Sequence, residues 1–397
     1  MKKTASLLFV FVFFLLFLCP VFAFAEEGSA MPVLEPLPDS VSGKLHAKSY
    51  VLMDRDTGAV LAASNENTLL YPASVTKIMS LLLVSEAIEA GKLTFDKKLT
   101  CSATAAAKGG SQIWLKEGEE MTVRDLLKAT AVYSANDACT LLGEAVAGSE
   151  TAFVGLMNQK AQALGMKDTH FDNCTGLDDD TETHLTTAYD VALMSRALMN
   201  VGFITDYTTI WMDTLRGGET QLVNTNRLIR FYPGAVGLKT GTTAKAGCCI
   251  SAVAERDGMC LIAVVMGAAN SNERFDAARL LLDHGFSQYE VFTPSLDPAA
   301  AGIVTVRHGK QDTLKLNVSD GDAVLLKKGQ SAEVHMELSV EQIVEAPVEK
   351  GTKLGGAVFY VGDRQIAQLD LTAAQSVDRL SFFDALGRIF QSFFYKS

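Results

Sequence analysis

The chain has 397 residues, of which 48% are hydrophobic, and a formal net charge of −11. That length exceeds one typical domain, so two are expected. The acidic balance, with no basic patch, argues against a nucleic-acid partner.

Lys2 and Lys3 precede an unbroken apolar run from Leu7 to Leu18, and Ala23-Phe24-Ala25 supplies a small-residue cleavage signal. Residues 1–25 therefore read as an export leader with Glu26 as the new N-terminus. The competing reading is an uncleaved anchor, since the run is nearly long enough to cross a bilayer. Either way the protein leaves the cytoplasm, and cleavage makes it more acidic by the loss of Lys2 and Lys3.

Pro32, Pro36 and Pro38 mark residues 26–45 as a linker. Strands are predicted at Lys48–Met53 and Ala59–Ser64 around an Asp54-Arg55-Asp56-Thr57-Gly58 turn. Tyr71-Pro72-Ala73-Ser74-Val75-Thr76-Lys77 then enters a helix that is apolar nearly all round, the mark of a buried central helix. If the helix starts near Ser74, Ser74 and Lys77 share a face one turn apart. A buried Lys amine can serve as base to such a hydroxyl, and the helix start offers unpaired N–H groups. Alone, S-x-x-K is weak: it arises by chance roughly once or twice in a chain of this length.

Residues 93–120 look irregular. Thr122 caps a helix ending near Tyr133, with Asp125 in the capping-box position. Ser134-Ala135-Asn136 interrupts it before helical periodicity resumes at Asp137. Helices follow at 151–164 and 187–201. The Asp178-Asp179-Asp180 run between them reads as a solvated turn or helix caps rather than a metal site. Strands are predicted at Val236–Thr240, Cys248–Arg256 and Met259–Gly267, the last two joined by an Asp257-Gly258 hairpin. A helix from Glu273 to His284 is expected to stop at Gly285, a C′ glycine. Strands on either side of a helical block predict one antiparallel sheet with an inserted α subdomain.

Beyond Pro294 and Pro298, short alternating runs between 300 and 372 predict a small all-β sandwich domain. The last segment places Leu380, Phe382, Phe383, Leu386, Ile389, Phe390, Phe393 and Phe394 on one helical side. It suggests an interfacial membrane helix, with docking on the β domain as the alternative.

Cys101, Cys139, Cys174, Cys248, Cys249 and Cys260 match no zinc spacing and read mostly as buried small hydrophobes, with disulfides possible but unplaced. Adjacent Cys248 and Cys249 should face opposite sides of their strand. His308 and His335 read as structural or surface residues, and no Ser–His–Asp arrangement is visible. With no H-E-x-x-H and no phosphate loop, neither a metal nor a cofactor is expected.

Two motifs answer Ser74 and Lys77: Ser134-x-Asn136 between helices, and Lys239-Thr240-Gly241 at a strand end. S-x-x-K, S-x-N and K-T-G in this order, behind an export leader, form the set of penicillin-binding proteins and serine β-lactamases. The chain resembles the low-molecular-mass penicillin-binding proteins, serine-type D-alanyl-D-alanine carboxypeptidases, from about residue 45 to its end. Gly110-Ser111-Gln112-Ile113-Trp114-Leu115, Asn224-Thr225-Asn226-Arg227-Leu228 and Gly237–Gly241 also carry the likeness.

The resemblance implies an α/β (α+β) penicillin-binding/β-lactamase-like catalytic domain over 46–293, an all-β domain over 299–374 and an amphipathic anchoring helix over 376–397. It implies Ser74 as nucleophile, Lys77 as base and Ser134 as proton relay. Asn136 would bind the substrate amide and orient Lys77. Lys239 would supply positive potential, and the Ser74 and Thr242 N–H groups an oxyanion hole. Thr240 and Gly241 would form the edge along which substrate lies, and Arg227 and Arg274 are candidate helpers for its carboxylate. Like charge from Lys239, together with burial, should lower the Lys77 pKa. The implied partners are peptidoglycan pentapeptide stems, β-lactam antibiotics as covalent inhibitors, and the outer face of the cytoplasmic membrane. A β-lactamase and a non-catalytic wall-binding protein of the same fold are the competing functions. The β domain and tail argue against the first, the intact Ser74/Lys77 pair against the second.

Overall fold

A computed structural model describes residues 37–394; the expected leader and the first part of the expected linker lie outside the described residues. The first strands are β1 (Ser49–Asp54) and β2 (Val60–Ser64), followed by the central helix α1 (Lys77–Glu89). The helical block continues with α2 (Val123–Lys128), α3 (Asn136–Ala147), α4 (Glu150–Ala163) and α5 (Ala188–Met199). The chain then returns as β3 (Ala235–Thr243), β4 (Gly247–Arg256), β5 (Met259–Ala268) and α6 (Ser271–Gln288).

The five strands form one antiparallel sheet in the order β2-β1-β5-β4-β3, as the strand–helix–strand pattern predicts. Asp257 and Gly258 both take left-handed φ values, 50° and 78°, the geometry of a tight turn between twisted strands. Thr122, Ser149 and Thr187 cap α2, α4 and α5 by accepting from the backbone N–H three residues on.

Apolar side chains leave both faces of the sheet. Val51, Met53, Cys249, Ile262 and Val264 join the core shared with the helical block. Leu52, Cys248, Ile250, Leu261 and Ala263 pack with α6 and its neighbours. Cys248 and Cys249 thus do face opposite sides, and all six described cysteines are buried and unbridged. On α1, every residue from Lys77 to Ser85 is buried, which its uniformly apolar surface requires.

Three local expectations are corrected. The helix does not stop at Gly285 but runs to Gln288. A Cβ on Gly285 would lie 2.4 Å from Leu261 Cδ1 and 3.1 Å from Leu52 Cδ2, so helix-on-sheet packing, not termination, requires this glycine. Within 93–120, Lys98–Thr100 pairs antiparallel with Glu120–Thr122; strands of three residues are too short to show alternation. Asp178 is not solvated. It is buried and accepts from the Thr243 hydroxyl, whereas Asp179 and Asp180 are exposed.

After α6 come β6 (Tyr289–Phe292), β7 (Ile303–Arg307), β8 (Thr313–Val318), β9 (Val324–Lys327), β10 (Val334–Val340), β11 (Ile343–Glu345), β12 (Lys353–Val361) and β13 (Arg364–Ala373). One sheet runs β10-β12-β13-β8-β7-β11, and β6 pairs with β9. β13 was not legible as a strand: its buried positions Ile366 and Leu369 break the period of two opposite an irregularity in β12. The last helix, α7 (Phe382–Phe394), exposes Phe382 and Phe383 by 76% and 81%, and its Arg388 bonds Asp312. The side chains from residue 389 onward lie outside the described residues.

Candidate active site

Ser74 sits in a 3-10 turn, Ala73–Thr76, that leads directly into α1. The α-helix proper therefore begins at Lys77, three residues later than the sequence suggests. The tighter turn still eclipses residues three apart, so both side chains emerge together. Lys77 Nζ donates to Ser74 Oγ at 2.9 Å and to the Thr175 carbonyl at 2.8 Å. Lys77 is fully buried, and that desolvation brings its amine from 10.5 to about 8. The nearby Cys139, Cys174 and Asp137 act in the opposite direction. Burial outweighs them.

The expected like-charge repulsion between the two amines is seen at Lys239. Its buried amine is pushed well below the usual lysine range, by desolvation first and then by the Lys77 and Arg274 charges. Lys239 Nζ donates to the Thr240 carbonyl at 2.9 Å.

Ser134 ends an irregular, wide helical turn spanning Ala129–Tyr133 and adopts a left-handed conformation, φ 67° and ψ 29°. Such a residue outside glycine is uncommon, and wide turns of this kind often lie at functional sites. Ser134 Oγ and Asn136 Oδ1 are buried and have no hydrogen-bond partner among the described residues. Asn136 Nδ2 donates to the Gly109 carbonyl at 2.7 Å, so Thr175, not Asn136, steadies Lys77 here.

Three contacts bring the motifs together. Thr225 N–H donates to the Val132 carbonyl at 3.1 Å, and Thr240 Oγ1 donates to Thr225 Oγ1 at 2.8 Å, linking the Ser134 turn to β3. Gly241 lies against the serine turn: a Cβ there would stand 2.8 Å from the Ser74 nitrogen and 2.9 Å from the Pro72 carbonyl oxygen. Arg274 is buried, and its Nη1 donates at 2.9 Å to both the Gly241 carbonyl and Thr242 Oγ1. It fixes the end of β3. Arg227 is held elsewhere, by the Ser271 and Asn272 side chains at the start of α6 and over the Phe275 ring.

The sequence reading missed Asp137, Thr175 and Gly176. The buried Asp137 carboxylate accepts from the N–H groups of Ile113 and Leu115, both within 3.1 Å, and anchors the 109–115 loop against Asn136. Its position beside Asn136 at a helix start was the available signal. Gly176 passes so close to Ala73 that a Cβ would fall 1.8 Å from its carbonyl oxygen. Nothing local in the sequence signals that approach. His184, buried and bonded to Thr76 Oγ1, has its imidazole lowered to about 4 by burial, so it stays neutral and supports the turn.

Residues 36–270 match the family model described as D-alanyl-D-alanine carboxypeptidase, and residues 291–379 match penicillin-binding protein 5, C-terminal domain. D-alanyl-D-alanine carboxypeptidase DacF of Bacillus subtilis is 40% identical over 392 residues, 98% of each chain. Among solved structures, penicillin binding protein 5 from Haemophilus influenzae superposes with a TM-score of 0.69 at 29% identity, covering 84% of this chain and 98% of that one. Penicillin-binding protein D2 from Listeria monocytogenes in its ampicillin-bound form superposes at 0.56 and 31% identity, covering 61% and 98%.

Proposed function

Since the chain belongs to the D-alanyl-D-alanine carboxypeptidase family of serine peptidases (S11), we propose that it removes the terminal D-Ala from peptidoglycan stem peptides through a Ser74 acyl-enzyme. The observation that carries this reading is the 2.9 Å contact between Ser74 Oγ and a buried amine whose pKa lies near 8. A neutral Lys77 takes the Ser74 proton as Oγ attacks the carbonyl of the D-Ala–D-Ala bond. The Ser74 and Thr242 N–H groups receive the developing oxyanion. The C–N bond breaks, and the leaving amine gains its proton by way of Ser134. Water then hydrolyses the ester.

β3 is the edge strand of its sheet, so its outer backbone groups can pair with an extended peptide along Thr240 and Gly241. The unpartnered Asn136 Oδ1 accepts the substrate amide, Arg274 supplies positive potential for the terminal carboxylate, and the Lys239 amine, held in the same site, gains charge when that carboxylate arrives. Arg227 acts from further out. β-lactams acylate Ser74 in the same way; their leaving nitrogen stays tethered, which blocks water. The test is release of free D-Ala from a D-Ala-D-Ala-ended peptide. No release by wild type, or undiminished release by Ser74→Ala, overturns the proposal.

We also propose that the protein works outside the cytoplasm, as a catalytic domain over 46–293 and a β domain over 299–374, at the outer face of the cytoplasmic membrane. No described helix is long and apolar enough to cross a membrane. The exposed Phe382 and Phe383 support α7 lying in the interface. Co-sedimentation of the full chain with lipid vesicles, lost on Phe382→Asp with Phe383→Asp, tests the attachment.

A further inference from the structure

Next to the Ser134 turn lies a cleft of about 800 Å³ that the chemistry above does not use. One wall is the loop after Gly110, with Gln112, Trp114 and Glu119. The other is the hairpin Met212–Leu215/Thr220–Val223, with Arg216 and Gln221. Tyr133, the residue before Ser134, also lines the cleft.

Trp114 is 73% exposed, yet its backbone is clamped. The flanking Ile113 and Leu115 are buried, and their N–H groups are held by Asp137. The Ile113 carbonyl accepts from Arg216 Nη1 at 2.9 Å. A left-handed φ of 59° at Trp114 turns the indole outward between these anchors. A large apolar ring presented to water from an anchored backbone at the rim of a cleft is an available contact surface. Across from it, Arg216 is fixed by Glu119 at 2.7 Å and by Thr220 at 2.8 Å, so the central charges cancel. Gln112 and Gln221 add planar amides.

One aromatic face, neutralised charge and amide groups fit a neutral, polyhydroxylated ring. An apolar segment would leave the polar wall unpaired, and a polyanion would meet Glu117, Glu119 and Glu219. We propose that this cleft is a saccharide subsite that takes N-acetylhexosamine units of the cell-wall polymer, with Trp114 as its stacking platform. The proposal rests on the carboxypeptidase reading, since the glycan would be held while its attached peptide reaches β3.

The test begins with the full-length Ser74→Ala protein, titrated with peptide-free N-acetylhexosamine oligosaccharide and followed by tryptophan fluorescence. The chain has two tryptophans, and Trp211 is packed edge-on to Phe231. A saturable change, absent when Trp114→Ala is added, is expected. In the Ser74 protein, D-Ala release is compared for one peptide with and without a linked disaccharide. The wild type should favour the linked form by about tenfold, through KM. Trp114→Ala should erase that preference and leave the free peptide within about twofold. Absence of saturable binding overturns the proposal. So does an equal loss on both substrates, which would make the cleft a peptide site, or no loss on either. Saturable saccharide binding by a protein that releases no D-Ala from any peptide would retain the subsite and reject the carboxypeptidase reading.

Discussion

The Lys77 amine lies 2.9 Å from the Ser74 hydroxyl while wholly withdrawn from water. Because burial brings that amine to about 8, the acylation rate should rise about tenfold per pH unit below that value and level above it. Lys77→Arg keeps the charge but cannot give up its proton. It should abolish labelling by a fluorescent penicillin at every pH between 6 and about 10.

The same shift makes a stability prediction. Folded, Lys77 titrates near 8; unconstrained, it titrates at 10.5. Between these values the unfolded chain binds more protons, so stability rises with pH across the window. Below it the fold carries a buried charge at a cost on the order of 3 kcal/mol. Denaturant unfolding at stepped pH should therefore show the wild type gaining on Lys77→Met from pH 8 upward.

Gly241→Ala should lower acylation by about 100-fold or more, the scale of losing an oxyanion donor. The new Cβ would stand 2.8 Å from the Ser74 nitrogen and force the two donors apart. Mass spectrometry of the penicillin adduct over time checks this, with a retained cooperative melting transition as the control for folding.

Asp137→Asn should destabilise the protein by about 2–3 kcal/mol, because Oδ2 accepts from Ile113 and Leu115 while Oδ1 accepts from Ala138, so an amide must turn an NH2 toward one of these sets of N–H donors. Since this loop carries the Gly109 carbonyl bonded to Asn136, KM for the peptide should rise as well. Urea unfolding and steady-state kinetics measure the two effects.

Gly285→Ala opposes two physical terms. Alanine favours a helix by about 1 kcal/mol, but overpacking against Leu261 costs about 1–3 kcal/mol. With Leu261 Cδ1 only 2.4 Å from the added carbon, packing should win and the variant should melt lower. Leu261→Ala in the same chain should turn Gly285→Ala into a neutral or stabilising change.

Much of this protein was written locally. The order of strands around a helical block, the Thr122 and Thr187 caps, the Asp257-Gly258 turn and the opposed Cys248 and Cys249 all follow from neighbours within a few residues, where turn geometry and side-chain period act. So do the residue types of the three motifs. What the tertiary structure alone decided depends on atoms brought together from distant positions. The Thr175 carbonyl that holds Lys77 lies 98 residues away, and the amine's pKa follows from burial, which no motif encodes. Asp178 became buried because Thr243 arrives beside it. Gly285 is explained by Leu261 and Leu52, two strands of a sheet it never joins. A sequence window records propensity and period, whereas desolvation and close approach are set only when the chain closes on itself.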